Sequence, residues 1–570
     1  MSVEIDIILL KLPNHNIDYP SLSIPTLTRA LRNDGITVIQ QDVNVELKDI
    51  LLTQRCLEEI TYEFLPAICE YFISDPEEYT RVKNMVIYLN NIDTTIGFGA
   101  LESVKSQLLE RKYKQIFTST ESSNNTLILF TIASLLHNVI DLAITLDELN
   151  APIAQDNVVI RFMKDKIKSI AAINSRIVSF SVLDIQRKAT LWFAKRLRKV
   201  YQGTIVVGGP DVSIFRDNFI RHYPFINVAF LKESEVSLVK FVQGVPVDTI
   251  DGVIYRDIDG TVRINEPKHE PSNSVYRPDF DGFPLDKFLL PTLPISASRG
   301  CKWAICKFCV HHQTYTSYYE RTASAVVDDI EYFVQKYHTR YFHFTDDMLD
   351  ITIGTAIARE LIQRGLDINI LTYARFQNGF TPEILDLWAR GGIKVIEWGL
   401  ESASPRMLKE MAKGISIEKV QTILKDSREK GILNKLMLFH NYPSETIDDF
   451  EQTVDFLEKN IEERNVRPFF TIRNKLELRL NSELDHLSQQ ANQTIFPKRW
   501  NTSSIFQSKI EYEDTPDYPV KLHKLEAFLG RMQHLVSSRR VFSTNDENLT
   551  LDLVVLDVSA QEDKMCIQSI

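Results

Sequence analysis

SRGCKWAICKFCVHH (298–312) is the stretch on which the reading of this chain turns. It sets Cys301, Cys306 and Cys309 in a C-x4-C-x2-C pattern just after PISAS (294–298), a short run of strand character. The chain has six cysteines in 570 residues, too few for a disulfide scaffold, so three within one short loop are a specific signal. Three soft thiolates on one loop can hold a zinc ion or three irons of a cubane cluster. Structural zinc needs a fourth protein ligand, which His311, His312 or a distant cysteine would supply. A three-thiolate cubane instead leaves one iron open to a substrate or cosubstrate. The residues alone leave both readings standing.

Downstream of the loop, strand-like and helix-like segments alternate regularly. Helix SAVVDDIEYFVQKY is followed by strand YFHFTDD (341–347), helix TAIARELIQRG, strand INILTYAR (368–375) and helix PEILDLWARGG. Strand KVIEWGLES (394–402), helix SIEKVQTILKDSREKG, strand LNKLMLFH (433–440), helix TIDDFEQTVDFLEKN and strand FFTIRNKLEL (469–478) complete the series. Six strands with intervening helices predict a partial (β/α)6, TIM-like barrel over residues 291–480. The cysteine loop then sits beyond the first strand, at the face where barrel active sites lie. Residues 481–570 mix helix and loop and carry no readable role.

Upstream, EIDIILL (4–10), SIPTLTRALRNDG (23–35) and ITVIQQDV (36–43) read as strand, helix and strand, an α/β unit feeding a parallel sheet. The alternation stops from about 44 to 170, where the pattern is helical. It resumes with RIVSFSVL (176–183), helix IQRKATLWFAKRLRKVY, strand TIVVGGPDV (204–212) and strand NVAFLKE (227–233). DGVIYRDIDGTVRI (251–264) is a hairpin turning at Asp259–Gly260. The expectation is a doubly wound, Rossmann-like α/β domain over 1–264 with a helical insertion. Residues 265–290, rich in proline, are the expected linker.

The length argues for two to four domains. A net charge of −11 with 25% charged and 44% hydrophobic residues excludes a disordered or collagen-like chain. It also speaks against sequence-independent nucleic-acid binding, which rests on phosphate neutralisation. Acidic Glu4 and Asp6 before a short apolar run do not make a secretory signal. TLILFTIASLLHNVIDLAITL (126–146) is interrupted by His137, Asn138 and Asp141 and reads as a buried or amphipathic helix, not a membrane span. The expected location is the cytoplasm. GFGALE (97–102) follows no strand and is discarded as a nucleotide fingerprint.

The cysteine loop, FTDDM (344–348), EWGLES (397–402) and YPSET (442–446) together resemble the radical S-adenosylmethionine (SAM) superfamily. IPTLTRALRNDGITVIQQDVN, SFSVLDIQ, VVGGPDV and RPDFDGFPLDKFL resemble the branch with an N-terminal cobalamin-binding domain. The resemblance covers most of residues 1–480 outside the insertion. Phe308 fits the family habit of an aromatic before the last cysteine. The loop has one residue more than the commonest C-x3-C-x2-C form. The D-x-H-x-x-G signature that supplies a histidine to cobalt elsewhere is absent, and this branch often lacks it.

The resemblance implies that Cys301, Cys306 and Cys309 hold a [4Fe-4S] cluster whose fourth iron binds S-adenosylmethionine, with cobalamin as the further cofactor. It implies that Asp346 and Asp347 meet the cosubstrate amine or order the cluster loop, with at most one facing inward if the strand reaches them. The competing role is a solvated helix cap. Glu401, helped by Ser402, would accept from the ribose hydroxyls, or the two would cap the following helix. Arg375 would pair with the cosubstrate carboxylate or with a strand-end acid. Tyr442 to Glu445 match a segment packing near the adenine, with Asn441 or Tyr442 where the family has glycine. Gly208 and Gly209, lacking a Cβ, would admit a large flat ligand at the strand-end crevice, or simply form a turn; Ser181 and Gln186 lie at a comparable strand end. Cys56 and Cys69 read as core residues. Cys566 is a hydrogen donor or part of a tail.

The function implied is a cobalamin-dependent radical C-methyltransferase acting on an unactivated carbon, in natural-product or ribosomal-peptide maturation. Its partners would be a small-molecule or peptide substrate and an electron donor such as flavodoxin or ferredoxin. A non-methylating radical enzyme, such as a peptide epimerase or a rearranging enzyme, is the alternative. A non-catalytic zinc scaffold is the alternative outside the enzymes. Methylthio transfer to tRNA would need extra cluster cysteines that this chain lacks.

Overall fold

Runs of β-branched and aliphatic residues bounded by Gly, Pro and Asp build two parallel sheets. The computed structural model describes residues 5–268, 276–463, 465–466, 474–490, 509–510 and 517–537. In the first sheet β1 (Ile5–Lys11), β2 (Val38–Asp42), β3 (Ser175–Ser181), β4 (Thr204–Gly208) and β5 (Val228–Phe230) are parallel. The hairpin of β6 (Val253–Arg256) and β7 (Val262–Ile264) adds two antiparallel strands, giving the order 2-1-3-4-5-6-7. Ile7, Ile8, Leu9 and Leu10 are all buried, as a strand covered on both faces requires. Strand order reverses between β1 and β3, the position at which doubly wound sheets open a ligand crevice.

Helices from Val43 to Ala172 fill the gap between β2 and β3, matching the expected insertion. The insertion is bonded into this unit by polar groups. Lys48 donates to the His15 carbonyl at 2.8 Å and contacts His137 Nε2. Asn14 donates to Asp141 at 2.9 Å, and Asp147 receives Trp192 Nε1 at 3.0 Å and pairs with Arg196. His137, Asp141 and Asp147 all lie on the helix Thr120–Glu148. By length and composition its Glu121–Glu148 stretch could cross a membrane, and 56% of its most apolar window is buried in the fold. Two of the interrupting polar residues, His137 and Asp141, dock it, while Asn138 is exposed.

The expected linker behaves differently over its described second half. Gln40 donates to the carbonyls of Asp279 and Asp281, each at 2.9 Å, and Arg32 pairs with Asp279 at 3.1 Å. Phe280, Phe283 and Phe288 are buried, the last two stacked at 6.0 Å. Residues Tyr276–Pro291 thus pack with Met1–Lys268 as one unit, and Thr292–Leu553 form the other. Two prolines of the expected linker, Pro278 and Pro284, space buried aromatics.

The second sheet holds β8 (Leu293–Ile295), β11 (Tyr341–Phe344), β12 (Asn369–Ala374), β13 (Ile393–Glu401) and β14 (Leu433–Leu438), all parallel and in sequence order. Helices Ala323–Tyr337, Ile351–Arg364, Pro382–Arg390, Ile417–Glu429 and Ile447–Glu462 alternate with them. This is the expected partial barrel. Most of the sixth expected strand lies outside the described residues, but its Lys475 bridges in parallel to His440 beyond β14. Two short strands, β9 (Ser298–Arg299) and β10 (Tyr319–Glu320), pair antiparallel and form a stem under the cysteine loop. PISAS is therefore split between barrel and stem.

Candidate functional site

The stem brings Cys301, Cys306 and Cys309 out at the C-terminal end of β8. Gly300, with φ +77°, turns the chain into the loop, and Cys309 N–H closes a turn onto the Cys306 carbonyl at 3.1 Å. Burial pushes the Cys309 thiol up to about 12, with the neighbouring Cys306 and Cys301 sulfurs adding to the rise. Burial also raises Cys306, against the pull of Lys413. The three thiols thus lie within electrostatic reach of one another. Among the described residues, no three His, Cys, Asp or Glu side chains converge closely enough to hold one metal ion. Three soft donors on one loop suit a three-thiolate iron–sulfur cluster, or zinc with a fourth ligand.

Packing fixes the loop from below. Phe308 meets Phe439 edge to face at 5.0 Å and joins the cluster of Met407, Met411, Tyr442 and Leu476. Trp303 Nε1 donates to the Ala412 carbonyl at 2.9 Å, and the Arg375 guanidinium lies 3.7 Å above the Trp303 ring. Arg375 also donates to the carbonyls of Phe376, Lys413 and Gly414. Sequence reasoning offered it a carboxylate; the described residues give it an aromatic face and three carbonyls. Its planar fork fits both kinds of partner. Trp303 and Lys413 were missed. An aromatic inside the four-residue gap between cysteines was the one available signal.

The acids at the strand ends divide. β11 ends at Phe344, so Asp346 and Asp347 lie on a loop and strand alternation does not govern them. Asp346 is buried and accepts the N–H groups of Ala297 and Ser298 and the Ser298 hydroxyl, tying this loop to the stem. Burial raises its carboxyl to about 6 against those donors. Asp347 meets His311 at 3.1 Å, while its Oδ2 is buried without a hydrogen bond. Glu401 takes φ +72° at a bulge in the β13–β14 pairing and faces Lys413 at 3.2 Å. Ser402 is buried against Thr453 at 3.1 Å and receives the Ser404 N–H. The helix cap is Ser404, not the Glu401–Ser402 pair. Asn441 holds φ +64°, a conformation asparagine tolerates. Tyr442 is core, and Glu445 pairs with buried Lys521 at 3.3 Å.

In the first unit, Ser181 ends β3 and donates to Ser23 at 3.1 Å across the switch point. Gly209 has φ +112°, and a Cβ there would stand 2.7 Å from the Val182 carbonyl. The turn reading of that glycine therefore has a cause within the chain itself. A Cβ on Gly208 would only touch Phe230 at 3.6 Å. Gln186 is buried and donates to the Leu12 carbonyl at 2.6 Å, joining two strand ends. Cys56 is buried and Cys69 half-buried; Cys566 lies outside the described residues.

Residues 295–457, from β8 into the last barrel helix, match the Radical SAM superfamily. The stretch that holds the cysteine loop and most of the second sheet is thus similar to radical SAM domains. The chain's fold is that of OxsB, a cobalamin-dependent SAM radical enzyme solved with aqua-cobalamin and SAM, with a TM-score of 0.61 at 15% identity over 99% of this chain and 71% of that one. TsrM of Kitasatospora setae, a radical SAM methyltransferase, superposes with a TM-score of 0.55 at 15% identity over 92% and 88% of the two chains. Among curated relatives, an uncharacterized methyltransferase of Pyrococcus horikoshii is 27% identical over 45% of this chain and 58% of its own. Bacteriochlorophyllide d C-12(1)-methyltransferase of Chlorobaculum tepidum is 24% identical over 34% and 43%. The matches thus span about half the length of these relatives.

Proposed function

We propose that this chain is a cobalamin-dependent radical SAM C-methyltransferase acting on an unactivated carbon of a small-molecule or peptide substrate. The observation that carries the reading is the pairing of two sites in one chain. A three-thiol loop lies at the C-terminal end of a parallel half-barrel, and a 2-1-3-4-5 sheet precedes it. The methyltransferase names of the relatives support it. When bound, the cluster with SAM supplies radical chemistry and cobalamin carries the methyl group.

The chain's own residues position these groups. Cys301, Cys306 and Cys309 hold the cluster, and Asp346 and Trp303 fix the loop that carries them. Asp347, with one carboxylate oxygen free of hydrogen bonds, accepts from the SAM amine. Glu401 accepts from the ribose, exchanging part of its contact with Lys413. Ser181 and Gly208 border the cobalamin crevice at the β1–β3 switch point. Flavodoxin or ferredoxin donates the electron. The enzyme works in the cytoplasm without nucleic acid or membrane, in keeping with its net charge of −11.

The test is anaerobic reconstitution with iron, sulfide and hydroxocobalamin, followed by desalting and visible absorption. The reading expects about one cobalamin per chain beside the cluster, reductant-dependent SAM cleavage, and loss of iron in Cys306→Ala. Cluster absorption without cobalamin would sink the methyl-transfer reading and direct the search to solvent deuterium uptake by an epimerised product.

A further inference from the structure

Beside the cluster loop, within the second unit, lies a cavity of about 630 Å³ that shares Trp303 and Arg375 with the support of that loop. That is the size of a small-molecule site. The chemistry of its wall is one-sided. Lys302, Arg375 and Lys419 line it against a single carboxylate, Asp350, which Lys302 already neutralises at 3.1 Å. Lys419 has no acidic partner among the described residues, and Arg375 Nε is buried without a hydrogen bond. Ser416 lines the same wall and caps the helix Ile417–Glu429, whose first turn adds its partial positive charge. Trp303, two residues beyond Cys301 in the chain, adds an aromatic surface to the lining.

The SAM carboxylate suits this wall, as the resemblance implies for Arg375, but its sulfonium and ammonium groups would meet the same positive field. The acids suited to those groups, Asp347 and Glu401, are not part of the cavity lining. From this cavity and its lining we infer that the substrate carries an anionic oxygen group, phosphate or carboxylate, held by Lys419 and Arg375. Its apolar part rests against Trp303 beside the cluster loop. The inference rests on the enzymatic reading for the identity of the occupant as substrate, but the anion site itself is testable without turnover.

The test is ³¹P NMR of inorganic pyrophosphate added to the reconstituted full chain at fixed ionic strength. Saturable broadening is expected. Lys419→Gln should weaken the apparent affinity about tenfold, the scale of one lost charge-assisted contact. Lys425→Gln removes the same charge from an exposed position of the same helix and should leave affinity unchanged. Displacement by citrate would extend the site to carboxylates, and failure to displace would assign it to phosphate. Absence of broadening, or equal broadening in Lys419→Gln, overturns the inference. A chain that binds pyrophosphate but takes up no cobalamin would keep the anion site and refute the methyl-transfer reading alone.

Discussion

Gly414 is where one hydrogen atom decides the cluster loop. Its φ is +61°, and a Cβ there would come within 2.7 Å of the Trp303 ring. Gly414→Ala therefore combines a left-handed alanine, about 1–2 kcal/mol, with displacement of the indole. The expected result is a folded chain with reduced iron per chain after reconstitution; full iron loading would show that Trp303 does not place the loop. The same residue scale marks how far the sequence could be read. The cysteine spacing was legible because three ligands on one loop must be close in the chain. Arg375 and Ser402 were not, because their partners come from segments dozens of residues away, at Trp303 and Thr453. Asp346 was legible as a loop organiser but not as a residue beyond the strand, since β11 stops three residues earlier than its pattern suggests.

At the scale of elements, the helical insertion hangs on a few buried polar contacts, and these respond to acid. Burial and the Lys48 charge hold His137 down to about 3, so it is neutral in the folded chain at pH 7. The unfolded chain binds that proton at an ordinary histidine pKa, so stability is lost as pH falls below about 6.5. By pH 5 the difference is roughly 2 kcal/mol for this group. Amide exchange in helix Thr120–Glu148, corrected for its intrinsic pH dependence, should accelerate between pH 7 and 5. The acceleration should be smaller in His137→Asn, the remainder belonging to His15, whose pKa burial also lowers. Helices of the insertion were visible in the sequence through their apolar periodicity. Their docking was not, because Asn14, Lys48 and Asp141 look like ordinary surface residues until the fold buries them.

For the whole molecule, the informative residues are those between the two sheets in sequence. Phe288 is 1% exposed and stacked on Phe283 within the first unit. Phe288→Ala should cost about 3–5 kcal/mol and lower the melting temperature seen by calorimetry; an unchanged melting curve would mean that residues 276–291 are only a tether. The two sheets were legible because each repeats strand and helix at regular spacing. The packed second half of the expected linker was not, since proline and aspartate read as loop whether or not the loop is buried. The insertion has one more consequence, for the order of events during folding. β1 pairs with β3 as well as β2, and Ile5 opposes Ser175, so the centre of the first sheet joins residues 170 positions apart. Closing a flexible loop that long costs ~1 kcal/mol more than closing one of about 40 residues, and such distant pairings form slowly. A helical segment that condenses on its own shortens that search by bringing its two ends together. The insertion is thus the pacemaker of sheet assembly: weakening its helices should slow refolding of β1 against β3 even where the finished structure tolerates the change.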